Sequence, residues 1–179
     1  GPVRDINSNT RAGRDSGAGA EARFGGLGQD SKQQLRAMIT GALGWGDVIL
    51  VYGGSSAGQR DFTVKVFASI PGIEILAHGV AISPGKPLIM ARHGRQSLWG
   101  LPGHAASALV CAEVFVRPLI KRLLGAGDRE LWREGLKAVL TRPVASAQGR
   151  RDYIRVRLEP AETLGGPLRA TPVLGESGL

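Results

Sequence analysis

Cysteine is nearly absent: the 179 residues hold one, Cys111. A lone thiol excludes an intramolecular disulfide and any cysteine-cluster metal site. A reducing cytoplasm is the simplest home for such a chain. Aromatic residues make up only 5%, too few for a base-stacking platform. Histidine is scarce too, and His78, His93 and His104 show no metal-ligand spacing, which argues against a zinc site. No apolar run is long enough to span a bilayer and no signal peptide is visible at the start, so no membrane partner is expected.

What is present is positive charge and glycine. The formal net charge is +8, which suits either a basic nucleic-acid face or a small anionic substrate. The arginines are scattered (Arg4, Arg11, Arg14, Arg23, Arg92, Arg95, Arg150, Arg151, Arg155, Arg157), form no dense run and are not interleaved with aromatics. Nucleic acid is therefore not the expected partner. Hydrophobic residues at 42% fit a globular chain with a real core, large enough for one domain plus a small appendage.

The stretch "DVILVYGGSSAGQRDF", Asp47 to Phe62, runs from a buried strand into a glycine loop. Gly53 and Gly58 have the spacing of a phosphate-binding P-loop, but that loop needs Lys and then Ser/Thr after the second glycine. Gln59 and Arg60 stand there instead. The loop can still hold an anion on its backbone N–H groups, or be a tight turn without a ligand. Asp61 suits either a helix N-cap or a magnesium ligand facing phosphate. Asp30, just before Ser31, can likewise cap a helix. "SPGKP", Ser83 to Pro87, is stiffened by two prolines around Gly85 and sets Lys86 on a rigid loop, solvated or facing an oxyanion. "LPGH" offers backbone donors at a helix start, where His104 can donate to phosphate or cap.

Local pattern predicts the elements. A weak helix is possible over Asn9–Ala22, interrupted by glycines, and a short strand over Glu21–Phe24. A helix starts at Ser31, with Leu35, Met38, Ile39 and Leu43 at helical spacing. A buried strand covers Val48–Tyr52, a helix Phe62–Ser69, short strands Leu88–Ala91 and Ser97–Leu101, and a strong helix Ala105–Leu124 that Pro118 can bend. This order suggests a parallel α/β sheet with ligands beyond the carboxyl ends of its strands, where "GGSSAG", "SPGKP" and "LPGH" can meet. After a change of pattern near residue 128, short strands are expected over Glu130–Leu140, Asp152–Leu158 and Leu168–Val173. The expected domains are thus 1–127, α/β, and 128–179, a small all-β module cut short at "GESGL".

"DVILVYGGSSAGQRDF", "VAISPGKP" and "LWGLPGHAASALVCAEVFVRPLI" together resemble the molybdopterin molybdotransferases, the MoeA type and the E domain of gephyrin. "RDINSN", "GLGQDS" and "GRRDYIRVRL" with a later "ESG" extend the likeness in order along nearly the whole chain. The resemblance implies a MogA-like three-layer α/β domain with a mostly parallel sheet, followed by a small all-β barrel-like domain. It implies insertion of molybdate into adenylylated molybdopterin with release of AMP. Asp61 matches the magnesium-associated acid and Asp30 the acid after G-I-x-x. Asn7, the glycine loop (Gly53, Gly54, Ser55, Ser56, Gly58), Pro84, Gly85, Lys86, Pro102, Gly103, His104, Ser107, Arg155 and Ser177 match positions around the substrate or molybdate. The cofactor implied is Mg2+, and the full-length protein is expected to be a homodimer. The chain departs from the pattern at His104 and Ala105, where the family has Asn and Pro, and at Ser83, where a base is common. The family's N-terminal domains are missing, so the portion here is expected to be impaired alone. Two alternatives carry different chemistry: a pterin-binding or partner-docking module without turnover, and the related molybdopterin adenylyltransferase.

Overall fold

A helix forms at Lys32–Ala42 (α1) because Ser31 caps it, its hydroxyl accepting from the Gln34 N–H at 3.4 Å. The structure, a computed structural model, describes residues 19–26, 31–53, 57–131, 135–161 and 166–173, with the backbone alone over 57–61. Ile39 on α1 is buried, and Leu35 and Leu43 pack beside it, the one-face spacing that the sequence shows. The chain then turns into strand β1 (Val48–Tyr52) and helix α2 (Ala57–Ser69). A hairpin follows, β2 (Ile73–His78) and β4 (Ile89–His93), with the short β3 (Ile82–Ser83) in the loop between them. Gly94, at φ +57°, turns β4 into β5 (Gln96–Leu101) at a position where a two-residue hairpin turn needs positive φ.

The main sheet has the order β1-β5-β4-β2. It corrects the expectation of a mostly parallel sheet. β1 and β5 pair in parallel, whereas β4 pairs antiparallel with both β5 and β2. The hairpin turns at Gly94 and at the 79–88 loop reverse β4, while β1, β5 and β2 share a direction. Side chains alternate across the sheet. Ile49, Ala91 and Leu98 face α1 and α2 with Ile39, Val66, Phe67 and Ile70. Leu50, Met90, Trp99 and Leu101 face the opposite layer with Cys111, Val116 and Ile120. The result is three layers.

That opposite layer is one long helical run: α3 (Ala105–Cys111), a π-helical segment Ala112–Val116, and α4 (Arg117–Leu123). Pro118 does not break it. A proline lacks the N–H for the i−4 bond and its ring crowds that carbonyl, and the wider π turn directly before it takes up the misfit. Among the described residues no helix is long and apolar enough to cross a membrane.

Four further expectations fail. Residues Glu21–Phe24 form no strand, and residues 19–22 of the expected first helix are not helical. Glu130–Leu140 is not one strand: α5 (Asp128–Leu131) occupies its start, and among its described residues β6 (Ala138–Leu140) is the extended part. The last segment holds β7 (Arg151–Asp152), β8 (Val156–Glu159) and β9 (Leu168–Pro172). β6, β9 and β8 make an open three-stranded sheet, and no closed barrel exists among the described residues.

The loop from Gly79 to Leu88 is closed by Gly79 N–H to the Leu88 carbonyl at 2.8 Å and Val80 N–H to the Lys86 carbonyl at 2.9 Å. Its Ser83–Pro84 peptide bond is cis. Gly85, at φ +120°, presses against the long helix: a Cβ there would lie 2.8 Å from Cys111 Sγ and from Ile82 Cδ1. Gly85→Ala combines a backbone conformation closed to side chains with overpacking, and is expected to destabilise by about 2–4 kcal/mol. Urea unfolding of the two proteins measures it; an unchanged midpoint would show that the loop relaxes freely off the helix.

Candidate functional site

Register decides where the loops go. Tyr52 stands opposite Leu101 in the parallel β1–β5 pair, so both strands end at the same sheet edge. Gly53 and Pro102 follow directly, Gly53 exposed and Pro102 buried. Ile89 pairs with Gly100 and with His78, so the 79–88 loop springs from that same edge. All three loops singled out in the sequence therefore leave one edge of the sheet, within about 10 Å across two strand spacings. Carboxyl ends of strands in open α/β sheets are where ligands bind.

The residues of the glycine loop are placed only in part. Gly54, Ser55 and Ser56 lie outside the described residues, as do Asn7, Asp30 and Ser177. Gly58 and Asp61 belong to the first turns of α2, which begins at Ala57. Asp61 is thus the fifth residue of the helix and not its N-cap, which corrects the capping alternative. At the other helix start, His104 occupies the N-cap position of α3 and is exposed. Its side chain makes no capping bond, while its carbonyl accepts from Ala108 N–H at 2.9 Å. Gly103 and Ser107 beside it are half-buried.

Pro84, Gly85 and Lys86 line a cleft of about 340 Å³ with Val80–Ser83 and Pro87 on one side and Gly149 and Arg150 on the other. Lys86 is exposed. Arg155 is also exposed but is not among the lining residues; its carbonyl accepts from Val173 N–H at 2.9 Å, tying β8 to the end of β9. Arg150, one of the scattered arginines of the sequence, lines the same cleft as Lys86. The stretch "AQGRR", Ala147 to Arg151, carries a glycine turn signal, but nothing local in it shows what the turn reaches.

The turn reaches the loop through parallel pairing of β3 with β7, Ile82 to Arg151 and Ser83 to Asp152. Arg151 N–H donates to the Ala81 carbonyl at 2.9 Å and Tyr153 N–H to the Ser83 carbonyl at 2.7 Å. Asp152 sits at the joint, its side chain 11% exposed. Its carboxylate accepts from Ser146 Oγ and from Arg150 Nε at 2.9 Å, and Ser83 stands opposite it in the bridge. The Ser146 hydrogen bond, then the Arg150 charge and the remaining hydrogen bonds, hold its carboxyl below the usual carboxylate value against the cost of desolvation. Burial pushes the Cys111 thiol up to about 12, and it lies 3.6 Å from the Gly85 carbonyl. A buried neutral thiol is packing material and not a nucleophile. Among the described residues no group of three or more His, Cys, Asp or Glu can hold a metal ion.

Because its folded pKa is lowered, Asp152 contributes stability above its ordinary pKa of 3.8, and that contribution is lost as pH falls through the folded value. Asp152→Asn should therefore lower the melting temperature at pH 5.5–7, near the plateau expected for an ordinary carboxylate at about 3.9. The gap between the two proteins should narrow below about pH 4. Melting curves across that range test it; a gap that is constant with pH would mean that the carboxylate charge plays no part.

Residues 1–122 match the family described as "Probable molybdopterin binding domain". The chain is 31% identical over 160 residues to molybdopterin molybdenumtransferase 1 of Mycobacterium tuberculosis, covering 88% of this chain and 37% of the relative. It is 28% identical to molybdopterin molybdenumtransferase of Bacillus subtilis, over 97% of this chain and 39% of that one. The crystal structure of the molybdopterin biosynthesis MoeA protein of Pyrococcus horikosii superposes with a TM-score of 0.77 at 33% identity, over 98% of this chain and 40% of that chain. The chain thus spans about two fifths of the length of these relatives. With a family match over residues 1–122 and a three-layer fold shared with a MoeA protein, this chain belongs to the molybdopterin-binding domain family.

Proposed function

We propose that this chain is the substrate-binding part of an enzyme of molybdenum cofactor biosynthesis that inserts molybdate into adenylylated molybdopterin and releases AMP. The observation that carries the reading is the convergence of three loops on one sheet edge beside a cleft lined by Lys86 and Arg150. Each substrate is an oxyanion or carries one. A pterin nucleotide brings a pyrophosphate, and molybdate is a tetrahedral dianion. Backbone N–H groups at the starts of α2 and α3 suit the phosphates. Lys86 offers a point charge and Arg150 a planar fork for the metal oxyanion. Arg155 and Ser177 are further candidates to hold molybdate, and Asn7 and Asp30 to complete the pterin site.

Magnesium fits the donor set through Asp61. A single carboxylate on the first turns of α2, at the edge where phosphates would lie, suits an ion that keeps water and takes substrate phosphate oxygens as ligands. When bound, the ion supplies charge withdrawal from the pyrophosphate. The residues of the chain itself do the positioning: α2 and α3 present donors, and the 79–88 loop holds Lys86 against the turn that carries Arg150. The full-length protein is proposed to be a homodimer that completes the site.

Incubation with adenylylated molybdopterin, molybdate and magnesium, with AMP followed by chromatography, tests the reaction. The chain is expected to bind the pterin nucleotide and to release AMP more slowly than a full-length relative. Pterin binding without any molybdate-dependent AMP would favour a binding module; absence of pterin binding would sink the reading. Asp61→Ala is expected to keep the fold, since an interior helical position accepts alanine, while magnesium-dependent nucleotide affinity falls at least about tenfold. Unchanged affinity would remove Asp61 from the site.

A further inference from the structure

Arg150 and Asp152 stand outside the three loops, yet Arg150 lines the cleft and Asp152 pairs with it. We propose that Asp152 is a positioning residue that holds Arg150 opposite Lys86, so that the cleft takes a tetrahedral oxyanion between two cations from separate segments of the chain. The inference rests on the reading that this chain binds molybdate.

The geometry has two parts. Asp152 Oδ1 takes Arg150 Nε at 2.9 Å. This uses one of the five N–H donors of the guanidinium and leaves those on its terminal nitrogens for a ligand. Asp152 Oδ2 takes Ser146 Oγ. Ser83 precedes Pro84 on the very loop that carries Lys86, and it is the β3 partner of Asp152. The β3–β7 bridge thus ties the Arg150 turn to the Lys86 loop, and the Asp152 carboxylate fixes Arg150 on it. Arg150 is 42% exposed, so without this anchor a long flexible side chain would sweep solvent beside the cleft. The charged and hydroxyl groups around Asp152 are Arg150 from its own turn and Ser146 and Ser83 from the packed segments, with Lys86 across the cleft. A carboxylate held below the usual range stays anionic at neutral pH.

Two effects oppose each other when Asp152 is removed. Loss of a negative charge beside the cleft would by itself strengthen anion binding. Release of Arg150 would weaken it, because the fork must then be ordered on binding. The sign decides which effect governs.

The experiment is calorimetric titration of the whole chain with sodium molybdate at neutral pH and fixed ionic strength. Arg150→Gln and Lys86→Gln are each expected to weaken binding about tenfold. Asp152→Ala is expected to weaken it about threefold or more despite the lost negative charge, with Asp152→Glu restoring most of the affinity. In the Arg150→Gln background, Asp152→Ala should cause no further weakening, which a general structural role would not reproduce. Tighter binding by Asp152→Ala, or an equal loss in both backgrounds, overturns the positioning role. If circular dichroism shows Asp152→Ala unfolded, Arg150→Lys carries the test: it keeps the charge and loses the Nε anchor. It should bind as weakly as Arg150→Gln, and wild-type affinity would overturn the proposal. Wild-type binding that survives both Arg150→Gln and Lys86→Gln overturns the cleft alone and leaves molybdate insertion standing elsewhere on the chain. A wild-type chain that takes up no molybdate overturns both.

Discussion

Parallel pairing of β1 with β5 is the constraint on which the rest of this structure depends. The register that sets Tyr52 opposite Leu101 brings the ends of two strands distant in sequence to one edge. Each strand then runs into a turn and a helix, α2 from Ala57 and α3 from Ala105. Two helix N-termini with their unpaired N–H groups thereby share one side of the molecule. Leu98 is fully buried on one face of β5, and Leu101 nearly so on the other. A slip of one residue would exchange the faces and expose both.

The second level of organisation is how the chain after residue 127 reaches the first. It returns to the α/β core through a two-residue parallel bridge, β3 with β7. Tyr153 follows the bridge and packs with the cluster around Trp99 and Cys111. The small sheet β6-β9-β8 has little core of its own: Ala170 and Pro172 are buried, while Leu140, Val156 and Leu158 are exposed. Its attachment therefore leans on the bridge and on Asp152, which gathers the Ser146 and Arg150 side chains at the joint. Surface ion pairs contribute little by themselves. Here the value of the Arg150–Asp152 pair lies in what it orients.

Glycine has two unlike uses in the site. Gly53 ends β1 in the open, with no atom within 4 Å of where a Cβ would stand. Gly85 is packed tight, with its backbone on Cys111 and Ile82. Its freedom serves the docking of the Lys86 loop onto the long helix. His104, where the family pattern has Asn, leaves the start of α3 without a side-chain cap.

Much of the fold was legible in the sequence. The Ser31 cap, the β1 run, both β4 and β5, and the helix from Ala105 were marked by periodicity, by a hydroxyl before a helix or by glycine punctuation. These are local signals, and they survive folding because each matches its burial. The ordered run of "GGSSAG", "SPGKP" and "LPGH" also sufficed to indicate the family. Direction and partnership were not legible. β4 runs antiparallel because two turns reverse it, a fact about the whole hairpin and not about the composition of any strand. Glu130–Leu140 looked extended, yet its start is helical, where Gly127 N–H donates to the Glu130 carboxylate at 3.0 Å and Glu130 N–H donates to the Gly127 carbonyl at 2.9 Å. Arg150 and Asp152 were two charges near a glycine turn. Only the pairing of β3 with β7 placed them against Ser83 and Lys86, because contacts between residues more than sixty positions apart are set by packing of the folded chain and leave no periodic trace along it.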